Sequence, residues 1–218
     1  LSNIYVLMHK YIECCKVELD GDEIKNVEII NEKHLPFNFF DTSHNKEINI
    51  LNWFKNRSFP TDRIYYEYII KNLQNISPLQ MIILSKGLRV TDCYWIKENE
   101  SSDNWEEVNF FTNDTNEILD RIYINSKEVI NDLIINKNTL KNPNITSGGS
   151  LPKVWKKING KWLLYKDSIK YNETDNEILL SKILDFLNIK HIKYDKAKLK
   201  REIDGEIEEK TYCVCENY

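Results

Sequence analysis

The chain has 218 residues, with 30 Lys and Arg against 34 Asp and Glu for a formal net charge of −4. A hydrophobic fraction of 41% with 11% aromatics is enough to bury a core and excludes wholesale disorder. The mixed, mildly acidic charge argues against a nonspecific nucleic-acid binder, and no apolar run approaches the ~18 residues of a membrane-spanning helix.

About one residue in eight is Asn and a similar share is Ile, the bias of an AT-rich bacterial genome. Leu1-Ser2-Asn3 lacks the basic start and apolar core of a signal peptide, and a first residue other than Met points to a trimmed or processed chain. Cys14, Cys15, Cys93, Cys213 and Cys215 show no C-x-x-C spacing, so they are expected to be structural thiols of a reduced, cytoplasmic protein. His9, His34, His44 and His191 are scattered, and no metal site is expected.

In chain order, Ile4–Lys10, Tyr11–Leu19 and Val27–Ile30, with a turn at Asp20-Gly21-Asp22, predict a small antiparallel sheet. Helical spacing follows over Glu47–Arg57, through Ile50, Leu51, Trp53 and Phe54. Another helix is expected from Pro60 and Thr61, carrying Ile64, Tyr65, Tyr68, Ile69 and Leu73. Ser77-Pro78 opens a third, which Gly87 can close. The Trp/Tyr/Phe-rich stretch from Cys93 to Phe111 has no clean assignment. Glu117–Ile135 reads as one or two further helices.

The stretch Asn136–Gly149, crowded with Asn, Thr, Ser, Pro and Gly, marks a boundary, giving domains at 1–140 and 141–218. Beyond it, Lys153–Ile158 and Lys161–Lys166 read as strands around an Asn159-Gly160 hairpin turn. Asn176–Leu187 reads as a helix with Ile178, Leu179, Ile183, Leu184 and Leu187 inward. Ile189–Tyr194 and Thr211–Glu216 are strand candidates, linked by the charged segment Asp195–Lys210 with a turn at Asp204-Gly205. Its default reading is a solvated hairpin. The fold class is therefore α+β: a small antiparallel sheet with helices, then a second antiparallel sheet with one helix.

The order of the C-terminal third carries the chemistry. A Gly-rich loop lets backbone N–H groups approach phosphates. A lysine on the following strand neutralises their charge, and a helix carboxylate holds that lysine in position. Lys166 is the candidate lysine and Glu177 the candidate carboxylate. Thr146–Ser150 alone is more often a plain loop, and a lysine ending a strand is usually solvated; the ordered set gives the pattern its weight.

Ser147-Gly148-Gly149-Ser150-Leu151-Pro152-Lys153, then Gly160-Lys161-Trp162-Leu163-Leu164-Tyr165-Lys166, then Asn176-Glu177, resemble the small lobe of HipA-like Ser/Thr protein kinases. Upstream, Trp53 with Asn56-Arg57, Pro60 and Arg63 resemble a Firmicutes branch of that family. So do Thr91-Asp92-Cys93-Tyr94-Trp95-Ile96 and Trp105 with Val108-Asn109-Phe110-Phe111 and Asn113. The resemblance implies a kinase-like small lobe that binds ATP with Mg²⁺ and serves γ-phosphoryl transfer to a protein Ser or Thr. It implies ATP-binding roles for Ser147, Gly148, Gly149, Ser150, Lys153, Lys166 and Glu177, and autophosphorylation at Ser147 or Ser150. The implied partners are a protein substrate, and an antitoxin or second kinase subunit.

Phosphoryl transfer also needs a catalytic Asp and metal-binding Asp and Asn from a large lobe, and the 52 residues after Lys166 contain no H-x-D or D-F-G-like element. No catalytic residue is assigned in this chain, which is expected to be inactive alone: truncated, or completed by another polypeptide. The alternative is a non-catalytic interaction or regulatory module that kept the small-lobe shape. Core packing is the expectation for Trp53, Tyr94, Trp95, Trp105, Phe110 and Phe111. Asp92, Asn109 and Asn113 are expected to brace irregular loops.

Overall fold

The computed structural model describes residues 3–59, 61, 66–72, 76–115, 120, 140–149, 152–167, 172–203 and 206–217. The readings of Ile64, Tyr65 and Leu73, of the helices over Glu117–Ile135, of Ser150 and of the Asp204-Gly205 turn lie outside these residues. The fold is α+β, with two four-stranded antiparallel sheets ordered β3-β2-β1-β4 and β5-β6-β8-β7. The chain divides into two compact units. One holds Leu1–Pro60, Ile70–Asn116 and Asn136–Gly148, the other Thr61–Ile69, Glu117–Ile135 and Gly149–Tyr218.

In the first unit β1 (Asn3–His9), β2 (Ile12–Asp20) and β3 (Glu23–Ile29) form the expected meander. The unassigned aromatic stretch supplies β4 (Tyr94–Glu98), which pairs with β1. Helix α1 (Lys46–Arg57) is capped by Asn45, whose side chain accepts the Ile48 N–H. Helix α2 (Tyr66–Asn72) is divided between the units, its residues up to Ile69 belonging to the second. Helix α3 (Pro78–Leu84) carries a complete capping box between Ser77 and Gln80.

Gly87 closes α3 in the left-handed region at φ +58, its N–H bonded to the Ile82 carbonyl. A Cβ there would stand 3.1 Å from Ile96 Cδ1, so both backbone and packing require glycine. The core joins Leu7, Cys14, Cys15, Val17, Ile50, Trp53, Phe54, Ile82 and Ile96 from the sheet, α1 and α3.

Trp53, Trp95, Trp105 and Phe110 are buried as expected, whereas Phe111 is 42% exposed. It follows the short helix α4 (Trp105–Val108), where Asn109 redirects the backbone. The buried Asn109 Oδ1 accepts the N–H groups of Phe111 and Thr112, while Nδ2 donates to the Trp105 carbonyl at 2.8 Å. Leu140, Asn142, Asn144, Ile145 and Thr146 are also buried, so this polar-looking stretch is interior. The Thr146 hydroxyl donates to the Leu88 carbonyl and its own carbonyl accepts Arg89 Nε.

In the second unit β5 (Lys153–Ile158) and β6 (Lys161–Lys166) flank Asn159-Gly160, whose φ values of +52 and +78 suit a two-residue hairpin loop. Helix α5 spans Glu173–Phe186, starting before the expected Asn176. Strands β7 (Asp195–Ile203) and β8 (Glu206–Glu216) complete the sheet.

Two expectations need correction here. The charged segment is the hairpin expected of it, built by β7 and β8, but Ile189–Tyr194 is not strand. The groups of that segment are taken by α5 instead of a ladder. Ile189 N–H bonds the Leu184 carbonyl, and Tyr194 N–H bonds the Ser181 hydroxyl. The inward face of α5 also differs: Ile178 and Ser181 are buried, while Leu179, Ile183 and Leu187 are about half exposed. Glu177 reaches the sheet through Lys166 and Cys213, Leu184 is partly buried, and the remaining apolar residues of the helix beyond Ile178 are exposed. No helix among the described residues is long and apolar enough to cross a membrane.

Candidate functional site

Strand register builds the site. Lys153 stands opposite Lys166 across β5 and β6, and Lys166 opposite Cys213 across β6 and β8. Cys213 in turn stands opposite Lys196 on β7. Directly opposed residues share a sheet face, so three lysines and one thiol form a row across it. The other face carries the apolar cluster of Val154, Tyr165 and Tyr212.

Helix α5 answers that row with carboxylates. Lys166 Nζ lies 2.8 and 3.0 Å from the two Glu177 carboxylate oxygens, and Lys196 Nζ lies 3.6 Å from Asp175. The Lys166 ammonium also donates to the Tyr194 phenol at 2.9 Å. The Cys213 thiol donates to Glu177 Oε2 at 3.5 Å.

Ser181, one turn beyond Glu177, fixes the far side. Its Oγ accepts the Tyr194 N–H at 3.0 Å and lies 3.0 Å from His191 Nε2. His191 Nδ1 lies 2.7 Å from the Ile189 carbonyl, which can only accept. In the neutral ring Nδ1 therefore carries the proton and Nε2 accepts from the serine hydroxyl. Glu177 and Ser181 thus hold Lys166 and Tyr194 from one helix face, the i, i+4 relation.

Burial alone would lower the Lys166 ammonium, but its hydrogen bonds to Glu177 and Tyr194 outweigh that and leave it raised. Cys213 is pushed up to about 12, chiefly by burial and then by the Glu177 charge. Burial raises Cys215, and the nearby Lys166 charge partly offsets it. These thiols stay protonated and unreactive near neutral pH.

Lys153, Lys166 and Glu177 are thereby brought together. The Lys153 ammonium also packs over Gly149, which sits at φ +86, close enough that a Cβ would meet it at 2.6 Å. Ser147 and Gly148 belong to the first unit and Gly149 opens the second; Ser147 is half-buried and Gly148 exposed. Among the described residues no group of three or more His, Cys, Asp or Glu side chains could hold a metal ion. Tyr194, Ser181 and His191 escaped the sequence reading. The four-residue step from Glu177 to Ser181 was a usable signal for the serine, but nothing local marks Tyr194.

No protein-family model, curated protein or solved structure matches the chain.

Proposed function

We propose that the second unit is the ATP-binding small lobe of a HipA-like Ser/Thr protein kinase. The observation that carries this reading is the Lys166–Glu177 pair, a strand lysine held by a helix carboxylate. That pair is the arrangement protein kinases use to neutralise and orient ATP phosphates. Further support comes from the element order: hairpin, helix, then two strands in the sheet order β5-β6-β8-β7.

The residues fit phosphate chemistry. Lys153 and Lys166 stand opposite one another on adjacent strands of one face, which places two cationic side chains where a polyanion would bind. On this reading Gly149 offers its N–H to the phosphates, and Ser147 or Ser150 is a regulatory phosphorylation site. The Glu177 oxygens are engaged by Lys166 and Cys213, so Mg²⁺ and the catalytic Asp belong to a large lobe, in this polypeptide or another. The proposed setting is a bacterial cytoplasm with a protein substrate, in the manner of a toxin–antitoxin pair.

The second reading, a non-catalytic interaction module, is favoured by one observation. Leu179, Leu180, Phe186 and Leu187 of α5 and its end are 55–89% exposed, more apolar surface than a solvated helix needs.

Calorimetric titration with Mg²⁺-ATP tests the first reading. Lys166→Ala is expected to weaken binding about 10- to 100-fold, the worth of a charge-assisted hydrogen bond. Unchanged affinity in that variant overturns the assignment, and an absence of binding to the unsubstituted chain selects the interaction module.

A further inference from the structure

An ammonium group has three hydrogens, and three acceptor atoms lie within hydrogen-bond distance of Lys166 Nζ: two Glu177 oxygens and the Tyr194 phenol. These acceptors are unequal. The carboxylate is charged and takes two of the three bonds, while the phenol is neutral and holds more weakly. An anion arriving at this nitrogen needs a donor, and the phenol is the acceptor most easily exchanged.

The surroundings suit such an exchange. The Tyr194 phenol is held beside Lys166 by its ring as well, the ammonium lying 4.4 Å from the ring centroid. Its backbone is pinned to Ser181 at 3.0 Å, and Ser181 is braced by His191. Exchange therefore takes a swing of the lysine end group and leaves the Tyr194 backbone in place.

We propose that Tyr194 is a displaceable ligand of Lys166. A phosphate oxygen exchanges with the phenol at the third ammonium hydrogen, and Tyr194 thereby sets the affinity of the site for phosphate esters by competing with them. The inference rests on the reading of Lys166 as a phosphate-binding group. It assigns Tyr194 a positioning role with a definite sign: the side chain that touches the lysine weakens ligand binding.

The experiment titrates the 218-residue chain with Mg²⁺-ATP and with inorganic pyrophosphate, comparing the unsubstituted protein, Tyr194→Phe and Lys166→Ala. Tyr194→Phe is expected to tighten both ligands about tenfold, the lower end of the worth of a hydrogen bond to a charged group, while Lys166→Ala weakens both. A purely structural role for the phenol would give weaker binding on its loss. Pyrophosphate is transparent in the near ultraviolet, so saturating it should also perturb the tyrosine absorption of the unsubstituted protein.

Affinity unchanged or weakened in Tyr194→Phe, with Lys166→Ala still defective, overturns the exchange and leaves the phosphate reading standing. A saturated site with an unperturbed tyrosine spectrum overturns the exchange even where Tyr194→Phe does not fold. Lys166→Ala without effect, or no binding at all, overturns both.

Discussion

Arg57 and Asp92 form an ion pair that joins the last turn of α1 to the segment entering β4. The guanidinium is almost enclosed, at 4% side-chain exposure against 28% for the carboxylate. It also donates to the Gly87 carbonyl at 2.6 Å and lies 4.2 Å from the centroid of the Trp53 ring. Asp92 Oδ1 meanwhile accepts the Tyr94 N–H at 3.0 Å. One cation therefore ties α1, the turn after α3 and the start of β4. Burial pulls the Arg57 guanidinium down to about 10, against the opposing pull of Asp92.

Asp92→Ala leaves that cation buried without its counter-charge. The expected loss is about 2–3 kcal/mol, below the ~3–5 kcal/mol of a fully buried pair because Asp92 is partly solvated. Adding Arg57→Met should recover part of the loss, since the stranded charge is then gone. Guanidinium chloride unfolding of the single and double variants decides it; a double variant less stable than Asp92→Ala would contradict the account.

Ser181→Ala deprives the Tyr194 N–H and His191 Nε2 of their shared partner. A loss of about 1–2 kcal/mol is expected, with an unchanged denaturant slope. A variant as stable as the parent would mean that water replaces the hydroxyl and that Tyr194 needs no such tether.

His9 makes stability depend on pH near neutrality. Its Nδ1 lies 3.0 Å from that of His34, and its ring stacks on Tyr94 at 4.8 Å. The facing charged groups are His34, Lys10 and Asp92. Burial, then His34 and Lys10, lower the His9 pKa below its ordinary 6.5, with Asp92 opposing. A folded-state value below the unfolded one means that the unfolded chain binds the proton more readily. Stability is then complete above pH ~6.5 and falls as the pH drops through that value toward the lower folded one. Thermal unfolding between pH 7.5 and 5 should show this decline, and His9→Gln should flatten it. An equal decline in both proteins would assign the effect elsewhere.

The elements that were legible in the sequence are those whose signals are local. Asn159-Gly160 fixed its hairpin because both residues tolerate positive φ. Ser77 with Pro78 fixed the start of α3, and the spacing of Ile50, Trp53 and Phe54 marked α1. Lys166 and Glu177 could be paired because only 11 residues separate the end of a strand from the start of a helix.

What stayed hidden depends on partners distant in sequence. β4 is a strand because β1, some 90 residues earlier, offers it an edge. Ile192 and Tyr194 look like strand formers, yet Ser181 and the end of α5 claim the backbone around them. The apolar repeat of α5 predicted a wide buried face. How much of that repeat is covered depends on the sheet, which leaves most of it exposed.

Strand β8 is 11 residues long, but β6 pairs with only its last four, Cys213–Glu216. From Glu206 to Tyr212 its described ladder partner is β7 alone, and Glu206–Glu209 are exposed. A two-stranded ribbon in water is marginal without a sheet or helix behind it. Cooperativity should therefore fade along this one strand. Amide hydrogens at Cys213 and Cys215 wait for the whole sheet to open, while those toward Glu206 exchange through fraying of the ribbon end, with the Lys210–Asp167 ion pair as the clasp between the two regimes.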